Sequence, residues 1–292
     1  MSAIFLVDIK PWAVRIPESD QQRATDALEA GKVVFLPEFG FSLEDSERRF
    51  LTPASSDGRT KNISFSPRTG RVGGTSLQGK DLEDLERLFR RFVNWSRSLV
   101  ETMLPRYAAH LETARTSFRP VSIDNRPTSY RKDDRRLHVD AFRSEPIQGR
   151  RILRVFANVN PEGHSREWRV GEPFADFAAK FVPRAKPALP GSLWLLHHLR
   201  LTRGPRRKYD HLMLQLHDRA KEDMDYQASA PQELFKFPAG STWIVFTDQV
   251  LHAAISGQHA LEQTFYLDVA DLKNPSTSPL RVLEQLTHST LV

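Results

Sequence analysis

Three features of the sequence predict an α+β chain that is mainly β in its second half, an antiparallel jelly-roll-like sandwich buttressed by helices. The first 116 residues are helix-rich and contain the clearest helical periodicity. From Ser117 onward short β-like runs follow one another, and turn residues separate several of them. No internal repeat or composition shift calls for a second domain, so 1–292 is read as one unit. It comprises a helix-rich part (1–116), a jelly-roll core (117–270) and a C-terminal tail (271–292).

The elements follow in order. Ser19 to Ala30 reads as a helix stopped by Gly31, and Val33 to Leu36 as a buried strand ended by Pro37. Ser42 is placed to cap a second helix running to Leu51. Residues 52–80, rich in Ser, Thr, Gly and basic residues, read as a long loop of the kind that often carries function. From Asp81, apolar residues from Leu82 through Leu85, Leu88, Phe89, Phe92 and Leu99 to Met103 recur every three or four positions. This predicts a core-facing helix that Pro105 ends. Strands are then predicted at Thr128 to Tyr130, Leu137 to Phe142, Ile152 to Val159, Ser192 to Leu196, Thr242 to Thr247 and Gln263 to Val269.

Bulk properties exclude several classes. There is no cysteine, so disulfides, thiolate metal sites and cysteine nucleophiles are absent. The apolar start, Met1 to Val7, is short and lacks the marks of a secretory signal, and no apolar run nears the roughly 18 residues that span a bilayer. The expectation is a soluble, cytoplasmic protein. The charge is modestly basic, 42 Lys+Arg against 36 Asp+Glu. This suits either an ordinary solvated surface or an anionic partner. Clustering at Arg131, Lys132, Arg135 and Arg136, and again from Arg200 to Lys208, favours the second. No nucleotide-binding glycine motif, serine-hydrolase motif or nucleic-acid-binding signature is present.

The chemistry concentrates in His138, Asp140 and His252. Residues two apart on a strand share a face, so His138 and Asp140 point together and Val139 points away. One later histidine, His252, at the end of a second predicted run, completes a two-histidine, one-carboxylate set. Such a set occupies one face of an octahedral iron and leaves positions open. The alternative is a pair of hydrogen-bonded core histidines. His259, the nearest rival to His252, falls in a turn. Arg154 shares a strand face with Ile152, Phe156 and Asn158, a setting that suits either a bidentate anion or an internal ion pair. Tyr130 and Thr264 are read as lining the same cavity, either as hydrogen-bond donors or as ordinary packing.

The segments Ser129 to Phe142, Arg151 to Pro161 and Trp168 to Phe174 resemble the 3-deoxy-D-manno-oct-2-ulosonic acid (Kdo) 3-hydroxylases. Tyr209 to Asp218 and Glu262 to Phe265 share that resemblance, which extends from about residue 31 to about residue 270. It implies an Fe(II)- and 2-oxoglutarate-dependent dioxygenase with a double-stranded β-helix, cupin-like fold. His138, Asp140 and His252 are then the iron ligands, O2 is the cosubstrate, and C3 of Kdo linked to lipid A is hydroxylated. Many dioxygenases of this superfamily carry an arginine about ten residues after the distal histidine, and here that stretch has none. Arg154, with Tyr130, Thr264 and Asn158, becomes the expected 2-oxoglutarate site. Arg131, Lys132 and Arg136 become the expected contacts to the anionic Kdo–lipid A. Salt-sensitive peripheral contact with the inner membrane is expected, and nucleic acid is not. The same chemistry on a protein or nucleobase, or a non-enzymatic metal-binding jelly-roll with an anion-binding face, are the competing readings.

Overall fold

The computed structural model describes residues 2–8, 16–122, 129–189, 191–199 and 201–292. Along the chain come β1 (Ile4–Leu6), α1 (Glu18–Glu29), β2 (Val33–Leu36), β3 (Ile63–Ser66), β4 (Arg71–Gly73) and α2 (Gly79–Met103). The middle holds β5 (Glu112–Arg119), β6 (Arg151–Asn158), β7 (Arg166–Gly171), α3 (Phe174–Phe181), α4 (Ser192–His198), α5 (Lys208–Glu222) and α6 (Met224–Ser229). The chain closes with β8 (Gln232–Phe237), β9 (Thr242–Phe246), β10 (His252–Ser256), β11 (Ala260–Leu267) and α7 (Pro279–Thr287). The result is a mixed α/β architecture dominated by one large, mostly antiparallel sheet.

That sheet has eight strands in the order β1-β2-β9-β6-β11-β5-β3-β4, and a smaller antiparallel sheet runs β10-β7-β8. Among the described residues only β1 and β2 pair in parallel. β6 and β11 occupy its middle, with Arg154 directly opposite Thr264 and Phe156 opposite Glu262. Trp168 of the small sheet meets Phe156 at 5.0 Å and Trp243 at 5.6 Å, each edge to face, so an aromatic cluster fills part of the space between the sheets. Such pairs add to the stabilisation that burial gives. α2 covers the large sheet's other face, its buried stripe Leu85, Leu88, Phe89 and Phe92 packing with Ile63, Phe65, Phe118 and Leu261.

Several expectations are met. α1, β2, α2, β6, β9 and β11 lie within a few residues of their predicted places, and Gly31 ends α1 at φ 77°. Others are corrected. The second helix is a six-residue 3-10 turn, Asp45–Phe50, capped reciprocally by Glu44 and Glu47 and not by Ser42. The 52–80 loop contains the β3–β4 hairpin. The first 116 residues therefore do more than buttress: β1–β2 and β3–β4 form the two edges of the large sheet. Ser192 to Leu196 is helical, since its leucines are good helix formers and no β-branched residue interrupts them. Tyr130 lies in a 3-10 turn, and Thr128 lies outside the described residues. Leu137 to Phe142 is extended but makes only one bridge, His138 to His252. His252 opens β10 instead of ending the preceding run. The C-terminal residues contribute Leu280, Leu283 and Leu291 to the main core.

Candidate active site

Each histidine is fixed by backbone pairing before its side chain is considered. His138 N–H donates to the carbonyl of His252 at 3.1 Å, His252 N–H returns the bond at 2.9 Å, and Asp140 N–H donates to Thr247 O at 2.8 Å. Val139 falls on the opposite face and is fully buried in the core, as strand alternation requires. Gly171 lets β7 approach this bridge closely: a Cβ there would stand 2.9 Å from Leu251 Cβ.

The side chains then converge. One ligand atom from each of His138, Asp140 and His252 lies within 4.8 Å of the others. His138 Nδ1 is 2.7 Å from the carbonyl of Arg136 and His252 Nδ1 is 2.9 Å from that of Val250. A proton on each Nδ1 satisfies these carbonyls and leaves the Nε2 lone pairs to face Asp140, with His138 Nε2 3.9 Å from Asp140 Oδ1. Burial holds the histidines neutral, pushing His138 well below its ordinary range and His252 below it as well. Burial, the largest single influence, works against an ionised Asp140, but Arg154, His252 and its other neighbours together outweigh it and keep that carboxyl below its usual range. Asp140 Oδ2 is buried and takes no hydrogen bond, only the 3.2 Å electrostatic contact with Arg154. Two imidazole lone pairs and an unsatisfied carboxylate oxygen on one side are a donor set that fits a divalent cation such as Fe(II).

The ring of Trp168 stacks on His252 at 5.0 Å, and His217 of α5 stands edge-on to His138 at 5.4 Å. These contacts hold the imidazole planes. Behind them, Asp218 joins His217, Arg131 and Arg143, and His217 and Arg143 lower its carboxyl to about 2 against the cost of burial.

The triad opens into a cavity of about 360 Å³ between the two sheets. Thr264 and Arg154 line it from adjacent strands. Arg154 is already paired, to Asp140 and, at 2.9 Å, to Glu262. The other expected contacts fall elsewhere. Asn158 directs its amide to the carbonyls of His164 and Phe237 and accepts from Asn160 N–H, which occupies it structurally. Tyr130 lies under the guanidinium of Arg131 and does not line the cavity. Arg131, Lys132 and Arg136 do not line it either. Arg131 pairs with Asp218, Arg136 donates to the carbonyl of Lys221, and Lys132 is exposed.

The basic wall comes instead from residues that the strand-by-strand reading passed over. Lys61 and Arg119 both pair with Asp134, Arg115 lies two positions from Ser117 on the same face of β5, and Arg166 enters from β7. Asp134 is held well below the usual carboxylate range by Lys61 and Arg119, in spite of its burial. The two-residue spacing of Arg115, Ser117 and Arg119, against inward Thr116 and Phe118, was the available sequence signal.

The family model for 3-deoxy-D-manno-oct-2-ulosonic acid (Kdo) hydroxylase matches residues 11–290. The chain belongs to the Kdo hydroxylase family. A crystal structure of the Kdo hydroxylase KdoO, described as a non-heme Fe(II) alphaketoglutarate dependent dioxygenase in complex with cobalt(II), is 47% identical. The two superpose with a TM-score of 0.97 over 100% of this chain and 98% of that one. KdoO in complex with alphaketoglutarate and Fe(III) is 46% identical, with a TM-score of 0.95 over 99% and 97% of the two chains. No protein among the curated sequences matches this chain. Kdo hydroxylases of this family thus share their fold with the chain over nearly its whole length.

Proposed function

We propose that this chain is an Fe(II)- and 2-oxoglutarate-dependent dioxygenase that hydroxylates C3 of Kdo while the sugar is linked to lipid A. The observation that carries this reading is the buried His138–Asp140–His252 set, opening onto a cavity with a basic wall, in a chain of the Kdo hydroxylase family. In this reading the two sheets are the faces of a double-stranded β-helix. His138, Asp140 and His252 hold the iron. O2 activation is what Fe(II) and 2-oxoglutarate supply there, one oxygen atom going to succinate with release of CO2 and the other into a substrate C–H bond.

The rest is the work of the chain's own residues. Trp168, Phe156 and Phe142 keep the neighbourhood of the ligands apolar and limit water. Lys61, Arg115 and Arg119 give the cavity a positive side for the sugar's carboxylate. Arg154 orients Asp140 and, with the Thr264 hydroxyl beside it, receives the distal carboxylate of 2-oxoglutarate in exchange for Glu262. A guanidinium offers that carboxylate two parallel bonds. Arg154→Ala is expected to raise the 2-oxoglutarate KM by one to two orders of magnitude, since charged hydrogen bonds contribute roughly 1.5–3 kcal/mol each. Unchanged KM in Arg154→Ala together with a large rise in Arg166→Ala moves the anchor to β7.

The function itself is tested with Kdo–lipid A carrying deuterium in place of both hydrogens at C3. The purified chain with Fe(II), 2-oxoglutarate and O2 is expected to give a product that has gained one oxygen and lost one deuterium. Oxygen gain without deuterium loss places the hydroxyl elsewhere on the sugar. Succinate release that no Kdo species stimulates contradicts the substrate.

A further inference from the structure

Most of the described surface shows isolated apolar residues, which need no explanation. One stretch differs. Of the ten large apolar side chains exposed among the described residues, four fall within 189–201: Leu189 (77% exposed), Trp194 (62%), Leu199 (60%) and Leu201 (60%). Trp194 is on α4, its ring against that of His198 at 3.7 Å.

The charge carried by this stretch of chain is of one sign. From Lys186 to Lys208 the chain contains no Asp or Glu, and it carries Lys186, Arg200, Arg203, Arg206, Arg207 and Lys208. Of these, Lys186, Arg203, Arg207 and Lys208 are exposed. Exposed leucines and a tryptophan beside lysines and arginines form a combination suited to the headgroup boundary of an anionic bilayer. A water-facing surface or an acidic protein partner would use the charges and leave the leucines unexplained.

The patch is also continuous with the cavity mouth. Arg203 N–H donates to Ser144 O at 2.9 Å, Arg203 pairs with Glu145 at 3.4 Å, and Arg206 donates to the carbonyl of Arg143. Ser144 and Glu145 line the cavity. Its base is tied to α5 through the contact of His211 Nε2 with Lys186 O at 2.9 Å.

We propose that Leu189, Trp194, Leu199 and Leu201, with the exposed Lys186, Arg203, Arg207 and Lys208, are a membrane-interface anchor, the four apolar side chains seated in the surface of an anionic bilayer beside the cavity mouth. This rests on the reading that the substrate is lipid-linked, and adds how the chain meets it. A mouth held at headgroup level reaches the sugar without extracting its lipid.

The test uses the full chain and vesicles of equal parts phosphatidylethanolamine and phosphatidylglycerol, without sugar. Wild type is expected to co-sediment at low salt, less so at high salt, and little with phosphatidylcholine alone. Brominated acyl chains are expected to quench part of its tryptophan emission, and Trp194→Phe to remove that part. The triple variant Trp194→Ser, Leu199→Ser, Leu201→Ser is expected to lose about tenfold or more in partitioning with its melting temperature unchanged. Binding that the triple variant retains in full, or absence of wild-type binding at low salt, overturns the anchor. So does a dimer in sedimentation velocity that the triple variant loses, because the patch then joins two copies. A lipid-free Kdo oligosaccharide separates the two readings. Patch-dependent vesicle binding without oxidation of any Kdo acceptor removes the function and leaves the anchor. Equal oxidation of the soluble acceptor by wild type and variant, without vesicle binding, does the reverse.

Discussion

At the scale of single residues, two backbone carbonyls decide which nitrogens the site presents. Arg136 O and Val250 O take the Nδ1 protons of His138 and His252, so both Nε2 atoms remain for a metal. The facing of His138 and Asp140 follows from two-residue spacing and was legible in the sequence. The tautomers were not, because their partners are carbonyls whose positions depend on the bridge to residue 252. Arg154 was legible as a basic residue on an apolar face, but its pairing with Asp140 and Glu262 was not. Lys221 is a further buried charge. Its side chain is 1% exposed, its ammonium donates to Arg131 O at 3.2 Å, and burial lowers it to about 8 from its ordinary 10.5. A lysine whose folded value lies below its unfolded one costs stability wherever both states are protonated. The cost is full below about pH 8 and fades as pH rises toward the unfolded value. The shift corresponds to on the order of 3 kcal/mol. Lys221→Met is therefore expected to raise the melting temperature at pH 7, and to abolish the gain in stability that wild type shows between pH 8 and pH 10. A variant less stable than wild type at pH 7 contradicts this account.

At the scale of elements, periodicity carried the strongest information. α2 was legible because its apolar stripe persists over many turns, and β6 because alternation continues through Asn158. The β3–β4 hairpin, β5, β7 and β8 were not. Their residues are polar or charged on the faces that meet the cavity or solvent, so the apolar alternation that marks a half-buried strand is weak. The Ser192 to Leu196 run failed in the opposite direction, because a short apolar run has no period that separates helix from strand. α2 provides the test at this scale. The rings of Phe89 and Phe65 stack at 5.6 Å, both fully or almost fully buried, joining the helix to the hairpin that positions Lys61 and Asn62. Phe89→Ala is expected to cost about 3–5 kcal/mol in urea unfolding. A cost below about 1 kcal/mol would mean that the helix is not held through this contact.

At the scale of the whole molecule, the cavity is a property of two sheets and not of any segment. His138 and Asp140 come from an extended segment between the described strands, His252 from β10, Arg154 and Thr264 from the middle of the large sheet, and Lys61 from an edge hairpin far earlier in the chain. Resemblance at separated motifs identified the family, because those motifs are short contiguous stretches, and the three residues it pointed to as ligands are ones the structure brings together. It set the basic wall at Arg131, Lys132 and Arg136, which neighbour the motif in sequence but do not line the cavity: Arg131 and Arg136 turn toward α5 and Lys132 is exposed. Long-range pairing, which no local pattern encodes, brings Lys61, Arg115, Arg119 and Arg166 to the cavity instead. The central claim, that His138, Asp140 and His252 hold the iron that oxidises Kdo, is tested most directly by measuring succinate release stimulated by Kdo–lipid A in wild type, His138→Ala, Asp140→Ala and His252→Ala. The account predicts stimulated release in wild type and a loss of at least about a thousandfold in each folded variant, with Fe(II) content falling in parallel. Stimulated release retained in folded His252→Ala would contradict it.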